Sequence, residues 1–134
     1  MRPTCDTSVL VPALLPFHDR HRDALRHLAA TELDLPAHVL LETYSVLTRL
    51  PAPHRLEPAV VLAALRRVTA SPLTLPGDVH LETVAALAAV GIKGGAVYDG
   101  LVGMTARTHG RTLLTFDRRA LPTYDAVGVD LAVV

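Results

Sequence analysis

Acidic side chains set into apolar sequence are the residues here whose type and spacing could do chemistry. Asp6 follows Cys5, Asp99 lies in Val97-Tyr98-Asp99-Gly100-Leu101, and Asp117 closes Thr112-Leu113-Leu114-Thr115-Phe116-Asp117. A carboxylate in such surroundings is costly unless something pairs with it. Several of them at one place raise each other's pKa and call for a cation. Oxygen donors favour a hard divalent ion, Mg2+ or Mn2+. That ion can activate water and stabilise charge on a phosphoryl oxygen, with no nucleophilic side chain needed. The sequence holds no serine or cysteine nucleophile motif.

The elements must bring these acids together. Eighteen positions separate Asp99 from Asp117, room for a helix from Val97 to His109 and a returning strand from Arg111 to Phe116. The helix covers roughly 18 Å at ~1.5 Å per residue, and the strand a similar distance at ~3.3 Å per residue. Gly110 between them suits a helix C-terminus. Both aspartates then return to the C-terminal edge of a parallel sheet, where open α/β folds place their sites. Asp6 ends a short first strand, Pro3 to Thr7, and joins them if the strands are parallel. Glu42, in Leu40-Leu41-Glu42-Thr43-Tyr44, is a fourth candidate on a weaker geometric argument. Glu82 competes with it, because Leu81-Glu82-Thr83 repeats Leu41-Glu42-Thr43. Taken singly, each aspartate reads as a helix cap and Glu82 as a partner of its helix dipole. Taken together at one edge, the aspartates read as a cation site.

Strands and helices alternate along the rest of the chain. Ser8 can cap an apolar helix whose start Pro12 limits. Further helices are expected over His18–Ala30, His38–Leu50, Glu57–Ala70 and from Pro76-Gly77-Asp78 to about Val90, ended by Gly91. Short strands are expected at Leu33–Pro36, Leu73–Leu75 and near Val129–Val134. The alternation predicts a three-layer α/β/α architecture around a short central parallel sheet, as a single domain over 1–134.

Composition narrows the function classes. Thirteen basic and thirteen acidic residues balance to zero formal charge, so a nucleic-acid partner must be met by local patches. One cysteine, Cys5, allows no internal disulfide and no cysteine-based zinc cluster. Neither a signal peptide nor a membrane-spanning run is expected, which points to the cytoplasm. Half of the residues are hydrophobic, enough to leave apolar surface for a partner.

Cys5-Asp6-Thr7-Ser8-Val9-Leu10, Leu41-Glu42, Tyr98-Asp99-Gly100-Leu101 and the segment from Thr112 to Asp117 resemble the PIN-domain ribonucleases, and among them the VapC toxins of bacterial toxin–antitoxin pairs. The resemblance covers nearly the whole chain. It implies that Asp6, Glu42, Asp99 and Asp117 bind Mg2+ or Mn2+ and carry catalysis, and it favours Glu42 over Glu82. Thr7 and Thr115 match positions whose hydroxyls often support the site; a strand-edge hydroxyl bonded to backbone is the plainer reading. The implied activity is endonucleolytic cleavage of structured RNA, with tRNA or rRNA as substrate, which inhibits translation and growth. The implied partners are a cognate antitoxin and a second copy of the chain in a homodimer. The first strand departs from the pattern, with Pro3 and Thr4 where the family is often more apolar.

Other features carry less. Arg118 and Arg119 directly follow Asp117 and could contact an RNA backbone; surface solvation explains them equally well. His18 and His21 lack a third zinc ligand, and His38 falls four residues before Glu42 by chance. A phosphotransferase of the haloacid-dehalogenase type needs a second aspartate where this chain has Ser8. A non-catalytic RNA- or partner-binding module on the same scaffold is the remaining alternative; loss of acids would mark it.

Overall fold

The computed structural model describes residues 2–28, 33–69 and 71–134. Strand β1 (Pro3–Cys5) gives way at Asp6, the N-cap of helix α1 (Thr7–Leu14), whose side chain accepts from the Ser8 backbone N–H. A cap satisfies one of the donors that a helix start leaves open. It also explains why the strand stops at Cys5 rather than at Thr7. Pro12 lies inside α1 rather than before it, and the helix ends two residues later, as expected once a backbone donor is lost.

Four helices follow: α2 (His21–Leu28), α3 (Ala37–Thr48), α4 (Pro58–Val68) and, after a 3-10 turn, α5 (His80–Ala89). The expected ends of α2 at Ala30 and of α4 at Ala70 lie outside the described residues. A 3-10 turn at Gly94–Ala96 leads into α6 (Val97–Thr108), and Gly110, at φ 64°, turns the chain into β2 (Thr112–Thr115). The helix–turn–strand return from Asp99 to Asp117 is therefore present. A 3-10 turn at Arg118–Ala120 then opens helix α7 (Leu121–Val127), followed by β3 (Leu131–Val133).

The three strands form one parallel sheet in the order β1-β2-β3, with Cys5 opposite Leu114 and Leu114 opposite Ala132. The expected strands at Leu33–Pro36 and Leu73–Leu75 are not part of it. They meet only in a single parallel bridge between Pro36 and Leu73. Pro36, Pro72 and Pro76 punctuate these runs, and proline cannot donate to a ladder. Helices α1 and α6 pack on the strands, α2 and α3 on α1, and α5 and α7 on α6. This is the three-layer α/β/α arrangement.

Val9, Leu10, Leu35, Leu47, Val61, Val102, Leu113, Tyr124 and Val127 are fully buried in one continuous core. Cys5 belongs to it, and burial pushes its thiol pKa up, with the adjacent Asp6 charge adding to the effect. Among the described residues no helix is long and apolar enough to cross a membrane. The closest seam in the core lies between α6 and α7. A Cβ on Gly103 would stand 2.8 Å from Val127 Cγ2 and 3.0 Å from the Tyr124 ring.

That seam yields a contrast. Gly103→Ala gains about 1 kcal/mol of helix propensity but overpacks the seam at ~1–3 kcal/mol. A Cβ on Gly100 meets only the Leu87 side chain, its methyls at 2.9 and 3.0 Å and its Cγ at 3.4 Å, and these methyls can swing aside. Urea denaturation is expected to show Gly103→Ala less stable than the parent by about 1 kcal/mol, net of these two effects. Gly100→Ala is expected close to the parent; the reverse order would contradict this packing.

Candidate active site

Asp6, Thr7, Ser8, Glu42, Asp99, Val102 and Asp117 line one cleft that opens to solvent. The four acids reach it from four elements. Asp6 leaves the end of β1, Asp117 follows β2, Glu42 projects from α3, and Asp99 lies in the first turn of α6. Parallel pairing of β1 with β2 places the first two side by side: the Asp6 N–H donates to Leu114 O at 3.2 Å. Glu82, in the first turn of α5, is exposed and not among the lining residues. The cleft takes Glu42 of the two competing glutamates.

Asp6 is buried, with 5% exposure, and its carboxylate is an acceptor on both oxygens. Oδ1 accepts from the Ser8 N–H at 3.1 Å and from the Ser8 hydroxyl; Oδ2 accepts from Thr115 Oγ1 at 2.6 Å and from the Tyr124 hydroxyl at 2.6 Å. Thr115 Oγ1 also accepts from the Asp117 N–H at 3.0 Å, and Ser8 Oγ from the Phe116 N–H at 2.9 Å. The hydroxyls of Thr115 and Ser8 therefore lock the two strand ends together. Thr115 Oγ1 is thus bonded both to an acid of the cleft and to backbone. Thr7 lines the cleft, and its hydroxyl is buried with no hydrogen-bond partner.

Both aspartates after the strands are caps as well as cleft residues. Asp117 Oδ1 accepts from the Arg119 N–H at 3.0 Å, and the Arg119 side chain stands 3.5 Å away, almost wholly exposed. Arg118 is exposed too. Glu42 Oε2 lies 3.3 Å from His38 Nε2, and the His38 ring stacks on Tyr98 at 5.5 Å with 10° between planes. The spacing of His38 and Glu42 is thus a contact rather than chance. His18 and His21 turn to local partners instead: the Arg20 N–H donates to His18, and His21 meets Pro12 O at 2.8 Å.

Electrostatics mark Asp99 within the set. Its pKa is pushed up to about 6, first by burial and then by the charges of Glu42, Asp6 and Asp117. Among the described residues the cleft lining contains four acids and no cationic side chain. Tyr124 is raised as well, chiefly by burial and by Asp6, and so remains a hydrogen-bond donor.

An all-oxygen set with an unpartnered hydroxyl beside it fits a hard divalent ion by donor chemistry. Among the described residues, no three histidine, cysteine, aspartate or glutamate side chains stand close enough to grip an ion as placed. The acids share a cleft without forming a closed cage. Mg2+ suits such spacing, because it keeps several waters and uses one or two carboxylates directly.

Sequence reasoning missed Tyr124 and the contact of His38. It also missed Arg20, whose guanidinium lies 3.5 Å over the Phe116 ring, next to Asp117. Only Pro122 near the start of α7 and Gly128 at its end, in the left-handed region, could have signalled the helix that carries Tyr124.

The chain is similar to known proteins in sequence and in fold. The family model described as PIN domain matches residues 4–126. Ribonuclease VapC40 of Mycobacterium tuberculosis is 45% identical over 130 residues, which cover 96% of each chain. Ribonuclease VapC27 of the same organism is 42% identical over 128 residues, covering 96% of this chain and 93% of that one. The crystal structure of FitAcB from Neisseria gonorrhoeae shares the fold, with a TM-score of 0.69 at 21% identity over 97% of this chain and 96% of that one.

The raised pKa of Asp99 has a definite sign. Below its ordinary value of 3.8 the group is neutral in both folded and unfolded chains and has no effect. As pH rises from there to about 6 the unfolded chain ionises first, so folding loses stability; above 6 the loss is complete. Asp99 is partly exposed, and water screens part of the effect. In chelator-treated protein at pH 8, Asp99→Asn is expected to raise Tm by about 2–4 °C, with the gain vanishing towards pH 4. A variant that melts below the parent at pH 8 would contradict this electrostatic reading.

Proposed function

The chain belongs to the PIN-domain family as a VapC-type ribonuclease, and on that premise we propose that it is a Mg2+- or Mn2+-dependent endoribonuclease whose centre is the cleft of Asp6, Glu42, Asp99 and Asp117. One observation carries the reading: four carboxylates line a single cleft with no cationic side chain among its described lining, and the charges of the other three add to burial in raising the pKa of Asp99. A bound divalent ion supplies charge neutralisation, activation of water and stabilisation of the phosphoryl oxygens.

The chain's own groups divide the remaining work. Asp99 and Asp117 line the cleft from α6 and the end of β2, and their carboxylate oxygens would hold the ion. Glu42 reaches the same cleft from α3, with Oε2 steadied by His38. Asp6 sets the floor, fixed by Ser8, Thr115 and Tyr124. Thr7 adds a hydroxyl that finds no partner among the described residues. In this reading Arg118 and Arg119, exposed beside Asp117, contact phosphate oxygens of the RNA. Contacts of this kind position a backbone without reading bases, so the choice of RNA rests on other surface detail.

In this reading the substrate is a structured RNA, tRNA or rRNA, whose cleavage inhibits translation and growth. The protein acts in the cytoplasm as the toxin of a toxin–antitoxin pair, is held inactive by a cognate antitoxin, and forms a homodimer. The names of the relatives support the toxin role. Exposed apolar side chains such as Leu41, Leu81, Val84 and Val90 are compatible with such interfaces. A non-catalytic binding module would not need four acids in one cleft.

Asp99 is the decisive position, because Asp6→Ala would also orphan four donors at about 1–3 kcal/mol for each buried group. RNA cleavage by purified Asp99→Ala is expected to fall on the order of 10^3-fold, equivalent to ~4 kcal/mol of transition-state stabilisation. EDTA is expected to abolish parent activity and Mg2+ or Mn2+ to restore it. Undiminished cleavage by Asp99→Ala, or activity indifferent to EDTA, contradicts the proposal.

A further inference from the structure

Among the described residues helix α7 contributes no lining residue to the acidic cleft, yet one of its side chains bonds to a cleft acid from within the core. Tyr124 is fully buried, and its hydroxyl donates to Asp6 Oδ2 at 2.6 Å across 118 positions of sequence. As a core filler between α6 and α7, a phenylalanine would serve as well. Burying a phenol hydroxyl brings a desolvation cost that only a good acceptor offsets. The acceptor here is a cleft acid.

The geometry around Asp6 shows what the extra donor accomplishes. Ser8 holds Oδ1 from the start of α1, and Thr115 reaches Oδ2 from β2. Tyr124 is the second donor on Oδ2 and approaches from a third element. Two donors on one oxygen and two on the other fix both the plane and the rotation of the carboxylate. The same tyrosine is registered against the helix that bears Asp99. Gly103, one turn along α6 from Asp99, leaves the space that the Tyr124 ring fills, its absent Cβ lying 3.0 Å from the ring.

We propose that Tyr124 is a positioning residue for the acidic centre, its hydroxyl holding Asp6 in the orientation it presents to a divalent ion that keeps part of its water shell in the cleft. This rests on the metal-dependent reading of the cleft given above. Hydrogen bonds behind a metal-binding side chain orient it, and losing one typically costs 10–100-fold in metal affinity.

The test is calorimetric titration of the full-length protein with Mn2+ alone, comparing the parent with Tyr124→Phe. Thr105→Val serves as the control: Thr105 Oγ1 is also buried and donates within α6 to Leu101 O, away from the cleft acids. Tyr124→Phe is expected to bind Mn2+ about 10–100-fold more weakly while melting in EDTA within about 4 °C of the parent. Thr105→Val is expected to bind like the parent. Parent-like Mn2+ affinity in Tyr124→Phe overturns the proposal, as does equal weakening in both variants, which would be a general effect of losing a buried hydrogen bond. A Tyr124→Phe protein that fails to fold also overturns it, by assigning the hydroxyl to stability. If the parent binds no Mn2+, the proposed function itself fails and this inference with it.

Discussion

A carboxylate cannot be buried beneath a sheet edge unless its lone pairs are met, and at Asp6 the chain meets them four times. That requirement organises the molecule. The Ser8 bonds need helix α1 to begin directly after β1. The Thr115 bond needs β2 beside β1, parallel and in the observed register. The Tyr124 bond needs the chain to run beyond β2 and fold α7 back against α6. Four secondary elements are thus tied to one side chain, and the fold and the candidate site are aspects of a single network.

Around this fixed acid the other three are held by looser means. Asp117 caps a short turn, Glu42 contacts His38, and Asp99 sits at a helix start, where the dipole offers some relief. The relief is incomplete, as the raised pKa of Asp99 shows. Asp23, on α2, is the contrast: Arg20 bonds to it, Arg26 and His27 stand close, and its pKa is lowered. The protein can neutralise an acid with its own side chains where it needs only structure. In the cleft it leaves Asp99 without a cationic partner among the described residues, which weakens the metal-free fold. A stability cost of this kind is typical of a site built for a ligand.

Much of this was legible in the sequence because it is written locally. Helix periodicity, the glycine at position 110 and the interval between Asp99 and Asp117 define a helix–turn–strand return without tertiary information. Alternating elements suggested a parallel sheet, and the order of the acids suggested the family. The failures were also physical. Leu33–Pro36 and Leu73–Leu75 carry apolar residues, but their prolines leave too few donors for a ladder, and only a bridge forms. Helix α7 has seven residues, with Pro122 in its first turn, and is too short for its period to stand out. Tyr124 reads as ordinary core until its partner, 118 positions away, is known. Glu42 was separable from Glu82 only by resemblance, since their local sequences are nearly the same. Tertiary placement of α3 against α1 and α6 decides between them.

The central claim is that these four carboxylates form a single cation site at the edge of the sheet. Anomalous diffraction from crystals soaked in Mn2+ tests it most directly. The account predicts one or more anomalous peaks in the cleft, within coordinating distance of Asp99 and Asp117 oxygens and lost in Asp99→Asn crystals. Mn2+ bound elsewhere with the cleft empty, or a cleft peak that persists unchanged in Asp99→Asn, would contradict it.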